Sequence, residues 1–198
     1  MKSVVLGVAL SVVITPLFAA SDLNGKYYLA GSSNCVSSSA GFNANFVSNQ
    51  PPGSISGTGA GAINGTAVFN SAKGTVQFEE TTMNTGTAFL AGTGQFFVAS
   101  GQDSRITYKF TTEVDASGNK TLTLKPKGDA TGKITFGSTA GDTITRTGMP
   151  NLKGLVTADG SIAIVGTGTI VIETTKSANT GNTSSAICNR SYQLYPAL

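Results

Sequence analysis

The stretch Arg105-Ile106-Thr107-Tyr108-Lys109-Phe110-Thr111-Thr112-Glu113-Val114, with Asp115-Ala116-Ser117-Gly118-Asn119 and Thr121-Leu122-Thr123-Leu124-Lys125 after it, decides the fold class. Ile106, Tyr108, Phe110 and Val114 fall on one side of a two-residue period, and Arg105, Lys109 and Glu113 fall on the other. That alternation describes a strand with one buried and one wet face. The segment Asp115–Asn119 supplies Asp, Ser, Gly and Asn, residues that satisfy or permit turn backbone. Alternation resumes at Thr121, so the stretch predicts a β-hairpin with a five-residue connection.

The same reading extends in both directions. Strand signals recur at Lys26–Ala30, Phe42–Val47, Ser54–Ile63, Thr66–Phe69, Thr75–Glu80, Gln95–Ala99, Lys133–Phe136, Thr143–Thr147, Ser161–Val165, Thr169–Thr174 and Ile187–Leu194. Asn64-Gly65 and Asp159-Gly160 punctuate them as turn pairs, and residues 177–185 read as a polar loop. No window shows helical apolar spacing. Many short strands at roughly ten-residue spacing predict an all-β chain, an antiparallel up-and-down β-barrel with a β-sandwich as the alternative. Gly57-Thr58-Gly59, Gly92-Thr93-Gly94, Ala130-Thr131-Gly132 and Gly166-Thr167-Gly168 form a faint repeat, which a composition rich in Gly and Thr also yields by chance.

Ahead of these strands, Lys2 precedes an uncharged apolar run from Val4 to Phe18, followed by Ala19-Ala20-Ser21. A basic residue, an apolar core and a small-residue end describe a secretory signal peptide over residues 1–21, leaving 22–198 as a single β-rich domain. A cut after Ser21 places small Ala19 three residues from the new end, whereas a cut after Ala20 places Phe18 there. No cysteine follows the run to carry a lipid anchor, and no second segment reaches spanning length, so a secreted or periplasmic product without a membrane span is expected. Cys35 and Cys188 stand near opposite ends of an exported chain, which predicts a disulfide. Closing so long a loop constrains the unfolded chain by up to ~5 kcal/mol.

The chemistry is narrowed mainly by what the chain lacks. Histidine is absent, which removes Ser-His and Cys-His nucleophile pairs and the commonest zinc ligand. No metal site or cofactor is expected. Thirteen basic residues against ten acidic ones are scattered along the chain, so no nucleic-acid footprint appears. Gly57-Thr58-Gly59-Ala60-Gly61 lacks the Lys-Ser/Thr ending of a phosphate loop and reads as a flexible strand. Ser117-Gly118-Asn119-Lys120 has the Ser-x-x-Lys spacing of penicillin-recognising enzymes, but it sits in a hairpin turn where those enzymes need a helix start. Asp115, Ser117 and Asn119 match half a calcium loop and are explained as turn residues.

The residues that alternation sends inward suggest a binding role. Val76, Phe78 and Glu80 share one face, and Tyr108 and Phe110 share another. Phe78, Tyr108 and Phe110 are therefore candidate apolar contacts for a small ligand, with Glu80 a candidate polar contact at the barrel mouth. The wider inward set of Phe69, Val76, Phe96, Val98, Ile134 and Phe136 reads as core or as the lining of a cavity.

Gly25-Lys26-Tyr27-Tyr28 with Cys35, and Ile187-Cys188-Asn189-Arg190-Ser191, resemble the ends of small exported bacterial β-rich proteins of unassigned function. Asn24-Gly25-Lys26-Tyr27 looks a little like the first strand of lipocalins, without the tryptophan usual there. This resemblance implies a barrel and transfers no functional residue. Fimbrial subunits are similar in composition and early cysteine, although their second cysteine follows much sooner than Cys188. The expected function is thus a non-catalytic exported barrel holding a small apolar or amphipathic ligand. A self-associating surface or fimbria-like subunit is the alternative. Protein recovered from outside the cytoplasm is expected to give an intact mass beginning at Ser21 or Asp22, and full-length cytosolic protein would overturn the export reading.

Overall fold

The computed structural model describes residues 23–166 and 171–197. The segment assigned to the signal peptide lies outside the described residues, as does part of the fourth repeat copy. Eleven strands form one antiparallel sheet: β1 Gly25–Ser38, β2 Ile55–Asn70, β3 Thr75–Leu90, β4 Gly94–Val114, β5 Lys120–Pro126, β6 Ala130–Phe136, β7 Thr143–Thr147, β8 Leu152–Val156, β9 Ile162–Gly166, β10 Glu173–Ser177 and β11 Thr183–Pro196. Helical structure among the described residues is limited to one 3-10 turn, Ser71–Lys73.

The pairings resolve into an up-and-down barrel. β1 pairs with β2, β2 with β3 and β3 with β4. The 21-residue β4 then carries β5 along its C-terminal third, from Tyr108 to Val114, and β6 along its middle, from Gly101 to Arg105. β5 and β6 are therefore one stave interrupted at residues 127–129. β7 and β8 make a second broken stave, paired to β6 and β5. β9 and β10 make a third, paired to β8 and β7 and then to the two halves of β11. Finally β11 pairs with β1 from Tyr27↔Pro196 to Ser38↔Ser185, so the wall closes. Five unbroken and three broken strands make eight staves among the described residues. Gly148, at φ 72°, and Pro150 mark one of the interruptions, where positive φ and a missing N–H suit a ladder that changes course.

Closure gives alternation its meaning. Facing inward at the β5–β8–β9 end are Phe69, Val76, Phe78, Tyr108, Leu122, Leu124, Leu152, Ile162, Ile164 and Leu194, each at most 2% exposed. Tyr27, Phe69 and Phe110 meet edge to face at 5.0 and 5.3 Å, and Phe78 meets Tyr108 and Tyr192 at 5.3 and 5.8 Å. Such contacts add about 0.5–1.5 kcal/mol each beyond the area they bury. The outer face carries threonines and charges, including an Arg105–Glu79 pair at 2.6 Å between register partners. No helix among the described residues is long and apolar enough to cross a membrane.

Several boundaries differ from the sequence reading, for local reasons. Asn64-Gly65 is not a turn; it runs through the middle of β2. A Cβ at Gly65 would lie 3.0 Å from the Glu80 Cα on β3, so this glycine allows two strands to approach closely. Phe42–Val47 forms no strand: Asn43 Oδ1 accepts from the backbone N–H groups of Asn45 and Val47 and folds the segment on itself. β8 has no counterpart among the sequence-based strands, and the loop at 177–185 shrinks to a turn between β10 and β11. The hairpin at Asp115–Asn119 forms as expected, its turn held by the Asp115 carboxylate.

Cys35 and Cys188 are register partners, 4.1 Å apart at Cα and bonded across the closing seam. Replacing either with Ala is expected to lower unfolding free energy by about 2–4 kcal/mol, read by denaturant titration, while the β1–β11 ladder still forms. An unchanged stability would show that the unfolded chain gains nothing from the bond.

Candidate functional site

The barrel is packed at one end and hollow at the other, and the inward residues of single strands show where the change falls. On β1 they run Tyr27, Leu29, Gly31, Ser33, Cys35 and Ser37; on β3 they run Val76, Phe78, Glu80, Thr82, Asn84 and Gly86. Both series pass from large and apolar to small and polar at the same height. Above that height β2 contributes Gly57 and Gly59 inward, opposite Ala88 and Gly86 of β3. A Cβ at Gly86 would stand 2.6 Å from the Gly59 Cα, so close packing of these two strands excludes side chains there. The result is a cup of about 310 Å³ at the disulfide end. Its wall includes Ser33, Asn84, Val98, Ser100, Ile134 and Ala186, together with the half-buried cystine.

Charged side chains form the floor. Arg190 of β11 donates through both Nη atoms to the two carboxylate oxygens of Glu173 of β10, the Nη2–Oε2 distance being 2.7 Å. Glu173 is 2% exposed, and Arg190 and Arg146 are each 8% exposed. Burial disfavours the Arg190 charge, but the hydrogen bonds and charge of Glu173 outweigh it and raise the Arg190 pKa. Arg146 of β7 has the opposite balance: burial, and then repulsion from Arg190, lower its pKa. Its nearest opposite charge is Glu173 at 3.9 Å, and its guanidinium forms no hydrogen bond to any described residue.

Glu80 sits at the same height with Oε1 buried and without a hydrogen-bond partner. Burial raises its pKa, while Arg190, Arg146 and the Tyr192 hydroxyl oppose that shift. Neither guanidinium forms an ion pair with it.

The residues chosen from sequence divide between the two halves. Phe78, Tyr108 and Phe110 stand in the packed half and do not line the cup. Glu80 lies at mid-barrel, between that core and the cup's floor. Of the wider inward set, Val98 and Ile134 line the cup, Phe69 and Val76 are core, and Phe96 and Phe136 are exposed. The sequence reading missed Arg146, Glu173 and Arg190. A signal was present: Arg146 is in phase with Ile144 on β7, and Arg190 with Tyr192 and Leu194 on β11, so each charge shares its strand's inward face. Among the described residues no group of His, Cys, Asp or Glu side chains gathers to hold a metal ion.

The fold and site thus define a closed antiparallel barrel with a charged floor beneath a small open cup. Against protein-family models, curated proteins and solved structures, the chain matches none.

Because the folded state favours protonated Glu80, its contribution to stability is present below the ordinary carboxyl value near 4.5 and is lost as pH rises through the raised value. Glu80→Gln should therefore match wild type at about pH 4 and become the more stable protein toward neutral pH, since the amide keeps the shape of the neutral acid and carries no charge to bury. Denaturant titrations across that range measure the difference; a gap that narrows with rising pH would reverse the assignment.

Proposed function

We propose that this chain is an exported, non-catalytic binding protein that holds a small amphipathic ligand in the cup at its disulfide end. The observation carrying this reading is the division of the interior. A barrel of this size normally fills itself with side chains. Here small residues and glycines leave space above a floor of buried charge, in a region where large side chains would have stabilised the fold. The mixed wall suits a ligand with both apolar and polar parts. Export is supported by the Lys2-to-Ser21 pattern and by a cystine, which persists outside the reducing cytosol.

A second reading, self-association as a surface subunit, draws on Phe97 at 73% exposure with Met83, Phe89 and Phe136 exposed near it on the wall. Strand addition is confined to short stretches such as Gly94–Ser100 of β4, which pairs β3 alone among the described strands, because the β1–β11 ladder closes the sheet. Sedimentation of wild type and Phe97→Ser would expose association through that patch as a concentration-dependent mass.

The binding reading is tested with an environment-sensitive fluorescent short-chain fatty acid. Ala186→Phe, which fills the cup, is expected to abolish the signal. Phe110→Leu, in the packed half, is expected to lower stability and leave affinity within about twofold. Loss of binding in Phe110→Leu with retention in Ala186→Phe would place the ligand in the other half, and no binding to wild type would favour the surface-subunit reading.

A further inference from the structure

Resting on the cup as the ligand site, we propose that the ligand is an acid whose carboxylate docks on the guanidinium of Arg146. Arg146 lines the cup, is 8% exposed, and offers its N–H donors to no acceptor among the described residues. The one nearby carboxylate is already committed: both oxygens of Glu173 receive Arg190, which leaves Arg146 a contact of 3.9 Å. Glu80 forms no ion pair with it. A guanidinium this buried is largely withdrawn from bulk solvent, and an anionic acceptor in the cup that takes up its free donors would stabilise it.

Arginine's planar fork matches the two oxygens of a carboxylate, and a charge-assisted pair in a nearly dry site is roughly twice as strong as a neutral hydrogen bond. Floor charge agrees with this chemistry. Two guanidinium groups face one fully engaged carboxylate, and the second carboxyl, Glu80, is held toward its neutral form by burial. Above the floor, Val98, Ile134 and Ala186 present apolar surface for a short chain, while Thr82, Asn84 and Ser100 offer hydroxyl and amide groups. The fitting ligand is a short-chain or modestly hydroxylated carboxylic acid, oriented head downward.

The test titrates hexanoate and hexanamide, equal in length and different in charge, into the full mature chain and follows backbone amide shifts by NMR. Hexanoate is expected to move the amides of cup residues and to bind at least about tenfold more tightly than hexanamide. Arg146→Met is expected to bring the two within about threefold, and Arg146→Lys to restore only part of the preference, since a point charge lacks the fork. Should Arg146→Met not fold, the wild-type Arg146 Nε–H resonance decides instead, shifting with hexanoate and not with hexanamide. Equal binding of both compounds in the cup would overturn the acid assignment and leave the binding reading standing. Amides that move with neither compound, together with no response to the fluorescent fatty acid, would remove both.

Discussion

Everything inside this protein exists because β1 pairs with β11. The ladder from Tyr27↔Pro196 to Ser38↔Ser185 joins the first and last strands of the sheet, and the Cys35–Cys188 bond crosses it near the open end. Without that seam the sheet would have two long edges, each presenting unpaired N–H and C=O groups. With it, every strand acquires an inside, and side chains alternating along the backbone are sorted into interior and wall. Glu79 and Arg105 then pair on the wet face, while Phe78 and Ile106, their chain neighbours, meet in the dry one.

The interior changes character at one height. Below it, aromatic and aliphatic side chains fill the barrel to the β5–β8–β9 end. Above it, Gly57, Gly59 and Gly86 withdraw side-chain volume and leave the cup. Charged groups lie at the boundary, where they touch packed core on one side and open space on the other. The Glu173–Arg190 pair resolves its own burial by bidentate hydrogen bonding, which satisfies both carboxylate oxygens. Glu80 is not resolved in that way, its buried Oε1 having no hydrogen-bond partner, and Arg146 keeps only a 3.9 Å contact with Glu173. The wall is interrupted near the same height: Arg146 precedes the Gly148 break by two residues, and Glu173 opens β10 directly after another.

The hairpin around Asp115–Asn119 shows what alternation can and does reveal. Its period places Ile106, Tyr108, Phe110 and Val114 inside; the first three are buried, and Val114, at the hairpin end, is exposed. Asn64-Gly65 shows the limit, since the same dipeptide serves a turn where φ must be positive and a mid-strand contact where a Cβ would strike the neighbouring backbone. Only the neighbouring strand distinguishes the two. Phe96 and Phe136 mark a second limit. Phe96 keeps the inward phase of β4 but is exposed near the open end, whereas the register shift at Gly101/Gln102 pairs Phe136 with outward-facing Gly101 and turns it to the wall.

The sequence by itself determined the class of fold, the inward phase of the core strands and the availability of two cysteines to bridge the ends, because these follow from local periodicity and composition. Tertiary structure decided which inward positions form core and which form cavity. It also decided that Arg146, Glu173 and Arg190, scattered over three strands, meet on one floor. The physical reason is register: sliding one strand by two residues against the next moves a charge along the barrel axis without changing its face. Its height, and hence its partner, is set by pairings with residues distant in the chain.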